Sequence, residues 1–140
     1  MEWEALFIIF PSTFEKVGID ISYPVIEMCN RVAGPKERYE VMDCGNIQYP
    51  DRSFDLILCF DVLEHVARPK HTLKGMRRIL KANGLVAIIY PFGNYDWDSH
   101  ISLVDKQTFD CWLDELEYFI VDEITPPSEG FPAILYLLKT

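Results

Sequence analysis

A chain of 140 residues that is 49% hydrophobic and 14% aromatic has enough apolar material for one globular core and too little length for two ordinary domains. We therefore expect a single domain over residues 1–140. The formal net charge of -9 and the isoelectric point near 4.7 argue against nucleic acid or anionic lipid as a partner, because both need a cationic surface. Lysine and arginine gather between Arg68 and Lys81, which predicts a solvated helix face. The expected partner is a small-molecule substrate.

Short apolar runs alternate with longer amphipathic runs from Val17 onward, a pattern that predicts strands linked by crossover helices in an α/β fold. The first half of the chain is expected to contain strands over residues 17–22, 39–42 and 54–60, and a helix that begins at Pro24 and ends before Gly34. The strand over 54–60 is the clearest, because a continuous apolar run bounded by acids indicates burial on both faces of a sheet.

The second half of the chain is expected to contain helices over residues 71–81 and 108–116, and strands over 85–90, 118–124 and 133–138. The pair Asn83-Gly84 predicts a left-handed stop for the first of these helices. The connection over residues 125–130 is too short for a parallel crossover, so the last two strands are expected to form an antiparallel hairpin. The predicted sheet is mostly parallel with this hairpin at its C-terminal end.

The cysteines and the N-terminal segment indicate where the protein resides. Cys29, Cys44, Cys59 and Cys111 lack the CxxC pairing or histidine spacing of a zinc site, so they predict reduced thiols in a cytoplasmic protein and no metal. The apolar run over residues 5–10 is far shorter than the roughly 20 residues that span a bilayer. We expect neither a signal peptide nor a membrane anchor.

Acids follow two of the predicted strands, at the edge where open parallel sheets bind their ligands. Asp20 has the geometry to accept two hydrogen bonds from a ribose diol, but an acid before a helix is equally a cap for free amide groups. Asp43 has the position to accept an adenine amino proton while the Cys44 amide faces a ring nitrogen, or it is a turn residue. The residues alone leave both alternatives open at each position.

Two later segments also carry candidate site residues. After Phe60 the chain places Asp61, Glu64 and His65 within five residues. Because adjacent side chains on a helix or strand point apart, Glu64 and His65 predict one functional and one structural residue in preference to a general-base dyad. The acidic and aromatic residues 95–98, with His100, predict a loop that closes over a ligand or an exposed loop without function. His65 and His100 are the candidate catalytic bases.

Four blocks of sequence, taken in order, resemble a known family: residues 18–22, residues 43–44 with 49–55, residues 61–66 and residues 80–85. From Val17 to Thr140 the chain is similar to class I S-adenosylmethionine-dependent methyltransferases of the small-molecule type, in particular the methyltransferase type 11 group. A dinucleotide dehydrogenase would share the acid at Asp20, but the run from Pro50 to Asp55 and the run after Val62 resemble the methyltransferase pattern. The resemblance implies a Rossmann-like sheet and S-adenosyl-L-methionine as cofactor.

The resemblance also implies roles for individual residues. Asp20 would hold the ribose hydroxyls, Ile21 would pack on the adenine ring, Asp43 and Cys44 would bind the adenine edge, and Phe60, Asp61 and Val62 would line the sugar and methionine side. His100 and Ile101 resemble the place where many relatives cap the substrate pocket. The motifs imply no catalytic base, because transfer from a sulfonium needs positioning and a nucleophile that is already deprotonated.

The sequence departs from the family pattern at its start. Relatives begin with a strand and a Gly-rich loop, whereas residues 1–16 contain no glycine, so we expect an N-terminally truncated domain that lacks this first strand and loop. Residues 6–10 are apolar enough to replace the strand, running antiparallel, or to form the remnant of a first helix, and we favour the helix. In that case a second copy of the chain would cover the exposed sheet edge as a homodimer.

Two functions from different classes are compatible with the sequence. The first is a methyltransferase that acts on an unidentified small-molecule acceptor through an oxygen, nitrogen or carbon atom. The second is a non-catalytic methyltransferase-fold remnant that serves as a binding or partner subunit. The presence together of Asp20, Asp43 and the polar segment 61–65 favours the enzyme.

Overall fold

The structure, a computed structural model, describes residues 14–93, 100–125 and 132–140. The chain divides into two compact units, Met1–Cys44 and Gly45–Thr140. Both alternatives for residues 6–10 lie outside the described residues, as do the loop candidates 95–98 and most of the connection after Thr125. A single domain over residues 1–140 stays a prediction.

The first unit contains a strand, a helix and a second strand: β1 (Lys16–Asp20), α1 (Tyr23–Val32) and β2 (Glu37–Val41). The two strands pair in parallel, with Asp20 opposite Val41. Pro24 lies in the first turn of α1, as predicted, because proline lacks only an amide proton that a helix start leaves unpaired anyway. The Asn30 side chain donates to the Tyr39 carbonyl at 2.7 Å and accepts from its amide at 3.0 Å, which ties α1 to β2.

The second unit is a sheet with helices. Its elements are β3 (Phe54–Phe60), a 3-10 turn (Leu63–His65), α2 (Pro69–Ile79), β4 (Leu80–Pro91), α3 (Lys106–Glu115), β5 (Phe119–Ile124) and β6 (Ala133–Lys139). Its strands are ordered β3-β4-β6-β5. The β3–β4 pair is parallel, and β6 runs antiparallel to both β4 and β5. The predicted α/β fold class and the antiparallel pairing of the last two strands are confirmed.

The boundary between α2 and β4 differs from the prediction. The helix ends at Ile79, and Leu80 already pairs with Phe54 of β3. Asn83, with a φ of 63°, lies inside β4, where the register with β3 shifts. A Cβ on Gly84 would lie 2.9 Å from the Lys81 carbonyl oxygen, so only glycine fits this bulge. The pair Asn83-Gly84 is therefore a strand bulge, and the prediction of a helix stop was wrong.

The core of the second unit lies against one face of β4. Alternate residues of that strand, Val86, Ile88 and Tyr90, are fully buried, as the two-residue period of a strand requires. The Tyr90 ring stacks on Phe109 of α3 with centroids 4.5 Å apart. Core side chains from the other elements are Leu63, Leu73, Met76, Leu113, Tyr136 and Leu138. Close packing of these side chains holds the segments that follow β3 and β4 in one arrangement.

The surface of the second unit is charged along α2 and apolar along β5. Cationic side chains of α2 form ion pairs, Lys70 with Glu115, Arg77 with Glu117 and Arg78 with Asp51, in agreement with a solvated helix face. Every side chain of β5 is exposed. No helix in the described part of the chain combines the length and the apolar character that crossing a bilayer requires.

Candidate functional site

The first unit gathers the predicted adenosine-binding residues at one edge. Because β1 and β2 are parallel, their carboxyl ends lie side by side, and the Met42 amide donates to the Asp20 carbonyl at 3.0 Å. Asp20 is the last residue of β1 and Ile21 follows it, while Asp43 and Cys44 come shortly after β2. The structure therefore brings these four predicted residues to the same edge of the strand pair.

The Asp20 carboxylate is exposed and only half engaged. Its Oδ1 accepts a hydrogen bond from the Ser22 amide at 2.7 Å, while Ser22 itself is the N-cap of α1. Within the described residues no group bonds to its Oδ2. The neighbouring Ile21 side chain is 75% exposed. This arrangement, a carboxylate oxygen available as an acceptor beside an exposed aliphatic surface, fits a ribose diol and an adenine ring.

The second unit presents the other predicted residues after β3. Phe60 and Val62 are half-buried, whereas Asp61 between them is exposed and has a φ of 51°. This left-handed backbone is uncommon for a residue with a side chain, and it turns the chain sharply out of the strand. The 3-10 turn that follows buries Glu64 and leaves His65 half-buried.

A later segment is held against this turn by backbone hydrogen bonds. The amides of Ile101 and Ser102 both donate to the Glu64 carbonyl, at 2.9 and 3.2 Å. The buried Tyr90 hydroxyl donates to the Ser102 carbonyl at 2.6 Å and accepts from the Val104 amide at 3.1 Å. These bonds place the residue just before Ile101, His100, beside the turn.

Glu64, His65 and His100 form a compact cluster. The two imidazole rings meet edge to face with centroids 5.0 Å apart, and His65 Nε2 lies 3.9 Å from Glu64 Oε1. One nitrogen or oxygen ligand atom from each residue lies within 4.8 Å of the other two. The expectation that Glu64 and His65 point apart was wrong, because it assumed a helix or a strand and the chain forms a 3-10 turn here.

Burial sets the electrostatics of this cluster. Glu64 is only 2% exposed, and this burial raises the pKa of its carboxyl above the usual value. Burial lowers the pKa of the His100 imidazole, and the neighbouring His65 lowers it further. The charge of Asp61 acts on both, since it raises the pKa of Glu64 and opposes the fall at His100. Within the described residues Glu64 Oε2 has no hydrogen-bond partner.

Comparison with known proteins identifies the family. A family model described as a methyltransferase domain matches residues 6–88, more than half of the chain. The probable methyltransferase ltbC of Aspergillus luteorubrus is 34% identical over 94 residues, which cover 58% of this chain and 33% of that protein. The chain spans 24% to 33% of the length of the curated relatives that it matches.

Solved structures share the fold at low sequence identity. An S-adenosylmethionine-dependent methyltransferase from Mesorhizobium loti has a TM-score of 0.72 at 13% identity, over 89% of this chain and 79% of that one. The cyclase SpnF has a TM-score of 0.75 at 12% identity, over 89% of this chain and 66% of its own, so the fold by itself does not fix the reaction. The chain belongs to the methyltransferase domain family and has the Rossmann-like fold of class I S-adenosylmethionine-dependent methyltransferases.

Proposed function

We propose that this chain is the catalytic domain of an S-adenosylmethionine-dependent methyltransferase that acts on a small-molecule acceptor. The observation that carries the proposal is the grouping of Asp20, Ile21, Asp43 and Cys44 at one edge of the β1–β2 pair. The family match supports the same reaction class. The net charge of -9 favours an acceptor that is not a polyanion.

The residues of this edge have the chemistry to bind the adenosine part of the cofactor. The Asp20 carboxylate would accept hydrogen bonds from the two ribose hydroxyls, and Ile21 would cover one face of the adenine. The Asp43 carboxylate would accept a hydrogen bond from the adenine amino group, and the Cys44 amide would donate to a ring nitrogen. In the second unit, Phe60 to Val62 are the residues that the family resemblance assigns to the sugar and methionine part.

The bound cofactor supplies an electrophilic methyl group on a sulfonium. In that transfer a lone pair of the acceptor would form the bond to the methyl carbon as the carbon–sulfur bond breaks, and the electron pair of that bond would stay on sulfur. The chain has to hold the acceptor in line with that bond and to exclude water. The proton that the acceptor loses needs a base, and His65 and His100 are the candidates.

Calorimetric titration of the full chain with S-adenosylmethionine tests the proposal. Asp20→Asn keeps the shape of the side chain and its bond to the Ser22 amide but removes the charge that strengthens hydrogen bonds to hydroxyls. We expect the dissociation constant to rise roughly 10- to 150-fold, the equivalent of about 1.5 to 3 kcal/mol. The matched control is Glu27→Gln, because Glu27 is an exposed acid of the same unit and pairs with Arg31 on α1.

The titration separates the two functions that the sequence leaves open. Saturable binding that weakens in Asp20→Asn and is unchanged in Glu27→Gln supports the enzyme. Absence of saturation at millimolar cofactor would overturn it and favour a non-catalytic binding or partner subunit. The homodimer also stays a proposal, and sedimentation of the chain as a monomer would exclude it.

A further inference from the structure

The cluster of Glu64, His65 and His100 contains more potential metal ligands than a single general base would need. It contains two imidazoles and one carboxylate, and the atoms available for coordination lie within 4.8 Å of one another. Two of these residues are adjacent in the sequence, while the third is brought in by the bonds from the Ile101 and Ser102 amides to the Glu64 carbonyl. The fold has therefore assembled three potential ligands from separate segments.

This ligand set matches the preferences of divalent transition metals. Two histidines and one glutamate, with a further position open, are a recurrent ligand set for zinc, and the same donors suit cobalt and iron. At metal–ligand distances of about 2.0 to 2.1 Å, tetrahedral ligand atoms lie about 3.3 Å apart. The separations in the cluster are larger, His65 Nε2 to Glu64 Oε1 being 3.9 Å, so small side-chain rotations are enough to close it on an ion.

The buried carboxylate is a second observation that points to an ion. The Glu64 side chain is only 3% exposed, and its Oε2 has no hydrogen-bond partner within the described residues. A buried carboxylate is normally paired with a cation or coordinated to a metal, because its desolvation is otherwise uncompensated. Asp61 adds a second negative charge near the cluster, which further favours a cation.

We propose that Glu64, His65 and His100 bind one divalent transition-metal ion of the zinc class and leave at least one coordination position open. Binding of the ion needs no cofactor. Its role rests on the proposed function: an acceptor hydroxyl at the open position would lose its proton more readily, because a bound cation lowers the pKa of coordinated oxygen. The two imidazoles then act as ligands and not as bases, so the proton of the acceptor passes to solvent water, and the acceptor reaches the methyl group as an oxyanion.

Cobalt(II) is the probe that tests the site, because its visible d–d absorption reports coordination geometry and zinc displaces it from shared ligands. The full chain, freed of metal with a chelator, is titrated with cobalt and then with zinc. We expect one equivalent of cobalt to bind and zinc to displace it. Glu64→Gln, His65→Ala and His100→Ala should each weaken binding by more than about 100-fold, since loss of a ligand's hydrogen-bond partner alone costs 10- to 100-fold.

The chain offers matched controls for this experiment. The chain has three histidines, and the one outside the cluster, His71 on α2, is exposed. His71→Ala should therefore leave the cobalt affinity unchanged. Cys111 is the most exposed of the four free thiols, and Cys111→Ser removes it as a competing ligand. Circular dichroism of each variant shows that it is folded, and if Glu64→Gln fails to fold, the two histidine variants decide.

Each outcome has a defined meaning. Binding that persists in both His65→Ala and His100→Ala, or that disappears in His71→Ala or Cys111→Ser, would overturn the metal site. Absence of cobalt binding to the unaltered chain would also overturn it. Cobalt binding with no saturation by S-adenosylmethionine would retain the metal site and refute only the methyltransferase proposal, whereas the reverse result would refute only the metal site.

Discussion

The hydroxyl of Tyr90 links the core of the second unit to the candidate metal site. It donates to the Ser102 carbonyl at 2.6 Å and accepts from the Val104 amide at 3.1 Å. Tyr90→Phe removes both bonds and keeps the ring that stacks on Phe109. The substitution therefore releases the segment that carries His100 without opening a cavity in the core.

The expected cost follows from the groups left without partners. A buried donor or acceptor that loses its hydrogen bond costs about 1 to 3 kcal/mol, and both groups here belong to half-buried residues, so we expect about 1 to 3 kcal/mol in total. The His100 imidazole should then sample several positions. We expect the cobalt affinity to fall about 10- to 100-fold, the range found when a metal ligand loses its support.

Tyr118→Phe is the matched control, because its buried hydroxyl donates to the Leu73 carbonyl at 2.8 Å, away from His100. Urea unfolding of the metal-free variants gives the stability, and cobalt titration gives the affinity. We expect both variants to be destabilised and only Tyr90→Phe to lose affinity. A Tyr90→Phe protein within about 0.5 kcal/mol of the unaltered chain, or equal losses of affinity in both variants, would refute the reasoning.

Two further predictions concern the stability of the second unit. Gly84→Ala should lower the free energy of unfolding by about 1 to 3 kcal/mol, because the added Cβ would lie 2.9 Å from the Lys81 carbonyl oxygen. The control Gly75→Ala on α2 should be neutral or stabilising by up to about 1 kcal/mol. Equal changes in the free energy of unfolding of the two variants, measured in urea, would contradict this prediction. Asp105 accepts from the Thr108 amide at 2.8 Å, and this bond holds the pKa of the Asp105 carboxyl below its usual value. The ionised Asp105 carboxylate contributes to stability above about pH 4, and this contribution is lost as the pH falls through its lowered pKa. Asp105→Ala should therefore have a lower free energy of unfolding than the unaltered chain near neutrality, and this difference should shrink in acid. A difference that does not depend on pH would exclude this cap.

The elements of the fold were predictable where one local pattern dominates. The apolar run of β3 was placed with its observed bounds, and Pro24 lies in the first turn of α1 as predicted. The expected burial of β3 on both faces was wrong, because Leu56 and Leu58 are exposed. The helix over 71–81 was placed two residues late, because Pro69 at the helix start was not used as evidence. The stop at Asn83-Gly84 was misplaced, because a left-handed residue serves a helix end and a strand bulge equally well, and only the pairing of Leu80 with Phe54 decides between them.

The sequence indicated which acids lie at the strand ends, but it did not indicate which side chains contact one another. The strand-end rule located Asp20, Asp43 and Asp61, because the ends of parallel strands are fixed by the sheet. The pairing of His65 with His100 depends on hydrogen bonds to a carbonyl of the 3-10 turn, and no sequence spacing encodes such a contact. The metal-ligand set was missed for the same reason, since its third member comes from a distant segment.

The exposed strand β5 has a practical consequence for handling the protein. It lies at the end of the strand order in the described sheet, and its side chains Phe119, Ile120, Val121 and Ile124 are all exposed. Such an edge readily pairs with another chain unless charge opposes it. The acids at positions 122 and 123 provide that charge, so solutions near the isoelectric point of about 4.7 should promote edge-to-edge association, and storage well above it should keep the chains apart.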